Sequence, residues 1–218
     1  MTRRWGNSVA EIRSLLLRRG ERGAIIGQTG TGKSVLARNL LPVTGRLAII
    51  DPKRQFEYPG LPVYHTAAEL KFCKPERFIY QPRPKDLGNL AEYDRVFYWL
   101  FTRRDSYIYI DDIVGVISRS IAPQGMAVCY QMGRQLGITI LSSFQRPAYV
   151  PLYLITESTN FYLFRLSLDK DIKRVQEAVP EYWPEDLPDK HTFVFFDIYA
   201  DNPARMYKID LKGGQNAG

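Results

Sequence analysis

Residues 27–34 read Gly27-Gln28-Thr29-Gly30-Thr31-Gly32-Lys33-Ser34, which fits the phosphate-loop pattern G-x-x-x-x-G-K-[ST]. A short apolar run, Ala24-Ile25-Ile26, precedes the loop, and a segment with helical character, residues 34–41, follows it. In this strand–loop–helix order, consecutive backbone N–H groups point into one cavity at the N-terminus of a helix, where they bind phosphate. The stretch therefore predicts a nucleoside triphosphate site. A glycine-rich turn without a ligand is the alternative interpretation.

The residues of this loop have separate expected roles. The Lys33 ammonium would neutralise the β- and γ-phosphates, and the Ser34 hydroxyl would ligate Mg²⁺. ATP and Mg²⁺ are thus the predicted cofactors. The nucleotide is expected to contact nine consecutive residues, Gly27, Gln28, Thr29, Gly30, Thr31, Gly32, Lys33, Ser34 and Val35.

The composition limits the class of protein. A chain of 218 residues is long enough for one α/β domain and too short for two full domains. Hydrophobic residues make up 45% and charged residues 24%, which argues against a disordered chain. The net charge of +7 suits a polyanionic partner. Cys73 and Cys129 have neither metal-ligand spacing nor a disulfide framework, and no apolar run approaches the about 20 residues that span a bilayer.

Apolar runs alternate with helical patterns from Gly23 onward, which is typical of an α/β fold with a largely parallel sheet and crossover helices. A stripe of apolar and aromatic residues predicts a helix over 89–102. Segments 191–198 and 204–211 flank a turn signal, Asp201-Asn202-Pro203, and predict a C-terminal β-hairpin. Strands are predicted at 23–27, 46–51, 77–80, 106–111, 137–143 and 159–166.

Three segments follow from these patterns. Residues 1–22 form a basic arm, residues 23–211 form one α/β domain that ends in the hairpin, and residues 212–218 form a flexible tail. In the arm, Val9, Ile12 and Leu16 have helical spacing, and Leu15 widens the apolar stripe. The arm is interpreted as an amphipathic helix packed on the main domain; a subunit-contact arm and a nucleic-acid contact are the alternatives.

Two carboxylates stand at the end of the strand over 106–111. Asp111 is the acid that a phosphate-loop enzyme needs on a nearby strand to hold the water shell of Mg²⁺. Asp112 would then orient the attacking water or accept its proton as a general base. The alternative is that both carboxylates simply solvate the end of a strand.

A carboxamide follows the strand predicted at 137–143. If this strand lies between the phosphate-loop strand and the Asp111 strand, Gln145 would face the γ-phosphate. A carboxamide has both donor and acceptor groups, so it can bridge phosphate and water and respond to hydrolysis. A polar cap at the end of a strand is the alternative.

Five segments together resemble the FtsK–HerA superfamily of DNA-pumping ATPases. Within it, the chain is similar to the small genome-packaging ATPases of icosahedral viruses with an internal membrane, over residues 23 to about 166. One departure is that the family's second acid is commonly glutamate, whereas this chain has Asp112. The five segments are Gly27–Ser34, Ile49-Ile50-Asp51-Pro52-Lys53, Ile108–Asp112, Gly133-Arg134-Gln135-Leu136-Gly137-Ile138 and Phe144-Gln145-Arg146-Pro147.

The resemblance implies a RecA-like P-loop NTPase core of the ASCE type, a homo-oligomeric ring of five or six subunits, and ATP hydrolysis coupled to translocation of double-stranded DNA into a preformed capsid. It implies capsid or portal-vertex proteins as further partners. The expected location is the cytoplasm of the infected host cell, with the packaging vertex of the virion as an alternative. A HerA-like or conjugation/extrusion-type DNA motor and a P-loop small-molecule kinase are the competing functions.

Two arginines are further candidates. Arg134 is expected in the helix before the Gln145 strand, where it matches the family's arginine, and it would act on the ATP of the neighbouring subunit. Its alternative is a structural or surface arginine, and Arg146 is the second candidate for the same role. The segment over 115–125 leaves the Asp111 strand as a loop, from which Arg119 would contact DNA phosphates in a central channel. A solvated surface loop is the alternative there.

Overall fold

The computed structural model describes residues 5–6, 9–200 and 204–209. The α-helices in these ranges are α1 (Val9–Arg13), α2 (Lys33–Leu40), α3 (Ala67–Cys73), α4 (Leu90–Arg103), α5 (Gln124–Met132), α6 (Leu152–Thr156) and α7 (Asp169–Gln176). The strands are β1 (Trp5–Gly6), β2 (Arg22–Ile26), β3 (Arg46–Ile50), β4 (Val63–Tyr64), β5 (Arg77–Tyr80), β6 (Ser106–Ile110), β7 (Thr139–Phe144), β8 (Asn160–Phe164), β9 (Thr192–Asp197) and β10 (Ala204–Lys208).

All of these strands belong to one sheet, in the order β1-β10-β9-β8-β2-β7-β6-β3-β5-β4. Strand β9 is antiparallel to both its neighbours, β8 and β10, whereas the other neighbouring pairs are parallel. The predicted α/β fold of the RecA-like P-loop type, with a C-terminal β-hairpin, is thereby confirmed. Because parallel strands end at the same edge of a sheet, the residues that follow β2, β6 and β7 lie near one another.

The sheet is covered on both faces, which is why its central strands β2, β6 and β7 are buried along their whole length. Helices α1 and α2 pack on one face, through Ile12, Leu36 and Leu40. Helices α3 to α7 supply the opposite face, where Phe97 of α4 and Tyr130 of α5 are fully buried. No helix in the described part of the chain combines the length and the apolar character needed to cross a membrane.

The predicted strands agree with the structure to within about two residues at each end, and the helix predicted over 89–102 is α4, Leu90–Arg103. The predicted aromatic stripe of this helix packs in the core through Tyr93 and Phe97. The two-residue strands β1 and β4 were not predicted from the sequence. The turn at Asp201-Asn202-Pro203 and the tail over 212–218 lie outside the described residues.

The N-terminal helix is shorter than predicted. Helix α1 ends at Arg13, and the chain then continues through turns and an extended stretch to β2. Ile12, Leu15 and Leu17 are buried in the apolar cluster that also contains α2, whereas Leu16, which the helical spacing placed on the apolar stripe, is only half-buried. The spacing argument fails beyond Arg13 because a non-helical backbone does not return a side chain to the same face after three or four residues.

Candidate nucleotide-binding site

The phosphate loop connects the end of β2 to the start of α2, and its shape depends on glycine. Gly30 and Gly32 have φ angles of 77° and 101°, in the left-handed region that glycine adopts without strain. At Gly27, a Cβ atom would lie 2.5 Å from the Cβ atom of Phe164 on β8. The Gly27 N–H donates a hydrogen bond of 3.1 Å to the Phe144 carbonyl on β7, which ties the loop to the other neighbouring strand.

Lys33 lies buried beneath this loop. Its ammonium donates a hydrogen bond of 2.7 Å to the carbonyl of Gln28, and only 6% of the residue is exposed. Burial lowers the pKa of Lys33 to about 8, although the negative charges of Asp112 and Asp111 oppose the change. A polyphosphate bound in the phosphate loop would stabilise the charged form of Lys33, so this burial favours the binding of an anion.

Two residues that the sequence did not predict support the loop from the C-terminal side of the chain. The Gln28 side-chain amide donates a hydrogen bond to the Ser167 hydroxyl, after β8. The His191 Nδ1 atom lies 3.3 Å from the carbonyl of Thr31. Neither Ser167 nor His191 belongs to a recognisable motif, and the pairing of β8 with β2 and of β9 with β8 brings them to the loop.

Asp111 directly follows β6, and its charge interacts with that of Lys33. Its Oδ1 atom accepts a hydrogen bond of 2.6 Å from the Tyr109 hydroxyl, and the Ser143 hydroxyl lies 3.5 Å from the same oxygen. Burial raises the pKa of Asp111, and the Tyr109 hydrogen bond opposes this rise. Burial also raises the pKa of the Tyr109 phenol well above its usual value, so the phenol remains a hydrogen donor.

Asp112 is the more constrained of the two acids. Its φ angle is 59°, its N–H donates a hydrogen bond of 2.7 Å to the Ser143 hydroxyl, and only 3% of the residue is exposed. The Oδ2 atom forms an ion pair with Lys53, whereas Oδ1 is buried and has no hydrogen-bond partner among the described residues. Lys53 comes from the Asp-Pro-Lys segment after β3, to which the sequence assigned no role.

Asp51 of the same segment shapes the loop that carries Lys53. Its fully buried carboxylate accepts hydrogen bonds from the backbone N–H groups of Gln55 and Phe56, at 3.2 and 3.0 Å, and from the Gln81 side chain at 3.0 Å. A buried carboxylate with three donors is a structural element. The acid of this segment therefore builds a loop, while its lysine faces the nucleotide site.

Gln145 meets the condition that its predicted position required. Strand β7 lies between β2 and β6, so Gln145, which directly follows β7, stands between the phosphate loop and the two acids. Its Oε1 atom accepts a hydrogen bond of 3.1 Å from the hydroxyl of Thr29, in the phosphate loop. The structure thus brings the loop, Asp111, Asp112 and Gln145 to one edge of the sheet.

Arg134 does not lie in a helix as predicted, because α5 ends at Met132 and the arginine belongs to the turn that follows. A Cβ atom on Gly20 would lie 2.8 Å from the Arg134 carbonyl, so the arginine stands where β2 begins. Strand β2, whose five residues span about 16 Å, separates this position from the phosphate loop. The exposed Arg134 therefore stands at the end of the sheet opposite the phosphate loop of its own subunit.

The other two arginines also have defined positions. The Arg146 guanidinium donates a hydrogen bond of 2.9 Å to Asp171 and stacks on Tyr149, so it is engaged within its own subunit. Arg119 is exposed at the tip of a tight turn, in which Ser118 and Ile121 exchange backbone hydrogen bonds of 2.9 and 2.8 Å. The segment after the Asp111 strand therefore forms an exposed turn at Arg119, and the contact of this arginine with DNA stays a prediction.

Comparison with known proteins shows similarity to packaging enzymes, in sequence and in fold. No protein-family model matches the chain. The chain is 27% identical over 171 residues to DNA packaging ATPase P9 of Enterobacteria phage PRD1. The aligned region covers 73% of this chain and 70% of P9.

Solved structures share the fold. The genome packaging NTPase B204 of Sulfolobus turreted icosahedral virus 2, in complex with sulfate, matches with a TM-score of 0.72 and 12% identity, over 89% of this chain and 99% of B204. The pCW3 conjugation coupling protein TcpA, with ATPγS, matches with a TM-score of 0.60 and 16% identity, over 87% of this chain and 60% of TcpA. Similarity in sequence to P9, the fold shared with B204, and the motifs assembled at one sheet edge together confirm the resemblance of this chain to the packaging P-loop ATPases of the FtsK–HerA type.

Proposed function

We propose that this chain is an ATP-hydrolysing DNA translocase that packages a double-stranded viral genome into a preformed capsid. The similarity to the packaging ATPase P9 and the fold of the packaging NTPase B204 support this function. The observation that carries the hydrolytic step is the position of Gln145, which is hydrogen-bonded to Thr29 between the phosphate loop and the two acids. The alternative, a glycine-rich turn without a ligand, does not explain why two carboxylates and a carboxamide lie beside the loop at the same edge of the sheet.

ATP is the proposed substrate, bound by residues 27–35. The B204 structures with AMPPCP and with ATPγS support nucleotide binding by this fold. The Ser34 hydroxyl and the Asp111 carboxylate supply hard oxygen ligands, which suit Mg²⁺ held directly and through its water shell. When bound, the ion would neutralise charge on the phosphates.

The remaining residues have roles in hydrolysis. Lys33 would neutralise the β- and γ-phosphates, and Asp112 would accept the proton of the water that attacks the γ-phosphorus, releasing ADP and phosphate. Gln145 would contact the γ-phosphate and change its contacts once that phosphate is released. Its present hydrogen bond to Thr29 already links it to the phosphate loop.

The motor would work as a ring of five or six copies. Since the whole length of β2, about 16 Å, separates Arg134 from the phosphate loop of its own subunit, it would act on the ATP of a neighbouring subunit and stabilise the transition state there. The exposed turn that carries Arg119 would contact DNA phosphates in the channel. Capsid or portal-vertex proteins are the proposed further partners, and the proposed location is the cytoplasm of the infected cell or the packaging vertex.

The experiment is a phosphate-release assay with and without double-stranded DNA at increasing salt. We expect DNA to stimulate hydrolysis, stimulation to fall steeply with salt, and Lys33→Ala and Asp111→Ala to abolish turnover. Lys173→Ala, an exposed lysine of α7, is the matched control and should retain activity. Full hydrolysis by Lys33→Ala would exclude the proposed site.

A conjugation-type motor is the second candidate, because the fold also matches the coupling protein TcpA. The similarity to P9 in sequence favours packaging. Co-purification of the protein with empty capsids from infected cells would support packaging, whereas co-purification with a membrane-bound secretion channel would support the alternative.

A further inference from the structure

Each of the two acids has one carboxylate oxygen held by the protein and one that is not. In Asp111, Oδ1 accepts the Tyr109 hydrogen bond at 2.6 Å, and Oδ2 has no hydrogen-bond partner within the described ranges. In Asp112, Oδ2 pairs with Lys53, and the buried Oδ1 has no partner in the part of the chain that the structure describes. The two unpartnered oxygens belong to the residues that the proposed reaction needs, one for the Mg²⁺ water shell and one for the attacking water.

Ser143 connects the two acids. Its hydroxyl accepts the hydrogen bond from the Asp112 N–H at 2.7 Å and lies 3.5 Å from the Oδ1 atom of Asp111. The residue is 1% exposed and stands two positions before Gln145. A change at the end of β7 would therefore reach the backbone of one acid and the carboxylate of the other.

The occupied oxygens determine how each carboxylate is oriented. A carboxylate without a partner rotates about its terminal bond, and its two oxygens then become equivalent. A reacting group must be held within about 0.5 Å of its productive position. A hydrogen bond or ion pair on one oxygen removes this rotation and leaves a defined direction for the other oxygen.

We propose that Tyr109, Ser143 and Lys53 are positioning residues that assign the two acids their separate tasks. Tyr109 leaves Oδ2 of Asp111 for the Mg²⁺ water shell, and Lys53 leaves Oδ1 of Asp112 for the attacking water. Ser143, which contacts both acids, fixes their positions relative to each other. The proposal rests on the proposed ATPase function, and none of the three residues itself contacts the reacting atoms.

The Asp111 part is tested by nucleotide binding rather than by turnover. A fluorescent ATP analogue is titrated into each protein in Mg²⁺ and in EDTA. In Mg²⁺, Tyr109→Phe should bind the analogue about 10-fold more weakly than the wild type does, whereas in EDTA the two proteins should bind it equally well. The control Tyr107→Phe removes a buried hydroxyl of the same strand, whose hydrogen-bond partner among the described residues is the Leu40 carbonyl, and it should behave as the wild type. An unchanged Mg²⁺ effect in Tyr109→Phe would overturn this assignment.

The Asp112 part is tested by steady-state hydrolysis. Lys53→Met should lower kcat about 10-fold or more at unchanged KM for ATP, and Lys53→Arg should recover part of the loss, because a guanidinium can also pair with Oδ2. If Lys53 had only a structural role, its replacement would lower the free energy of unfolding without a selective loss of kcat at unchanged KM. Lys53→Met with an unchanged or raised kcat would show that the ion pair does not support Asp112 and would overturn the proposal.

Ser143→Ala should show both defects, a weaker Mg²⁺ effect and a lower kcat. Its control is Ser142→Ala, the adjacent buried serine of β7, whose hydroxyl bonds to Tyr130 instead. Equal behaviour of the two serine variants would remove Ser143 from the proposal. If the wild-type protein binds nucleotide in a Mg²⁺-dependent way but does not hydrolyse it, the proposed function is contradicted. The titration of Tyr109→Phe would still decide the assignment of Asp111 in that case.

Discussion

Lys33→Met should make the protein more stable in the absence of nucleotide, although it removes the central residue of the phosphate loop. Lys33 is buried, and burial lowers its pKa from 10.5 to about 8. One pKa unit corresponds to about 1.4 kcal/mol, so the charged lysine costs the folded state about 3 kcal/mol at pH 7. The hydrogen bond to Gln28 returns about 1 kcal/mol. The expected gain in the free energy of unfolding for Lys33→Met is therefore about 2 kcal/mol.

The pH dependence has a defined sign. Below pH 8 the lysine is charged in the folded and unfolded states, so the full cost is present. Between pH 8 and 10.5 the folded protein releases the proton while the unfolded chain keeps it, so the wild type gains stability relative to Lys33→Met. Titrating groups that do not interact with Lys33 are common to both proteins and cancel in the difference. The advantage of the variant should shrink across this pH window.

The measurement is urea denaturation of both proteins at pH 7 and pH 10, in EDTA and without nucleotide. A matched control is Lys173→Met, an exposed lysine of α7, which should leave the free energy of unfolding within about 0.5 kcal/mol of the wild type. A Lys33→Met protein that is less stable than the wild type at pH 7, or a difference that does not change with pH, would refute the reasoning.

Three further predictions concern the arginines and the loop. Arg134→Ala should bind ATP yet hydrolyse it at least about 10-fold more slowly, and mixing it with Lys33→Ala subunits should restore turnover; no rescue at any ratio would contradict action across subunits. Arg119→Ala should weaken DNA binding and lower the slope of log affinity against log salt by about 1 in a filter-binding assay, and an unchanged slope would exclude a phosphate contact. Gly27→Ala should abolish binding of a fluorescent ATP analogue, because its Cβ atom would lie 2.5 Å from that of Phe164; wild-type affinity would show that the loop tolerates the shift.

Much of the site could be predicted from the sequence because its motifs are local. Gly30 and Gly32 adopt left-handed φ angles, and the sequence of the loop already places glycine, which tolerates such angles, at both positions. Asp111 and Gln145 each follow a short apolar run, and parallel strands end at a common edge. The helical arm over residues 1–22 was predicted too long, since spacing alone does not reveal where a helix ends.

The partners of these motif residues could not be predicted in the same way. His191 reaches Thr31 across 160 positions of sequence, and Ser143 reaches Asp112 across 31. Lys53 belongs to a segment that resembles a known family, yet its ion pair with Asp112 depends on the adjacent placement of β3 and β6. No periodicity or spacing specifies such pairs.

By itself, the sequence determined that the chain is an α/β protein with a phosphate loop and a set of acids and amides that suit nucleotide hydrolysis. The tertiary structure alone decided that β7 lies between β2 and β6, and which oxygen of each acid is held by the protein. The physical reason is that glycine conformation and strand ends are properties of neighbouring residues. The orientation of a carboxylate, by contrast, depends on donors that distant strands bring to it.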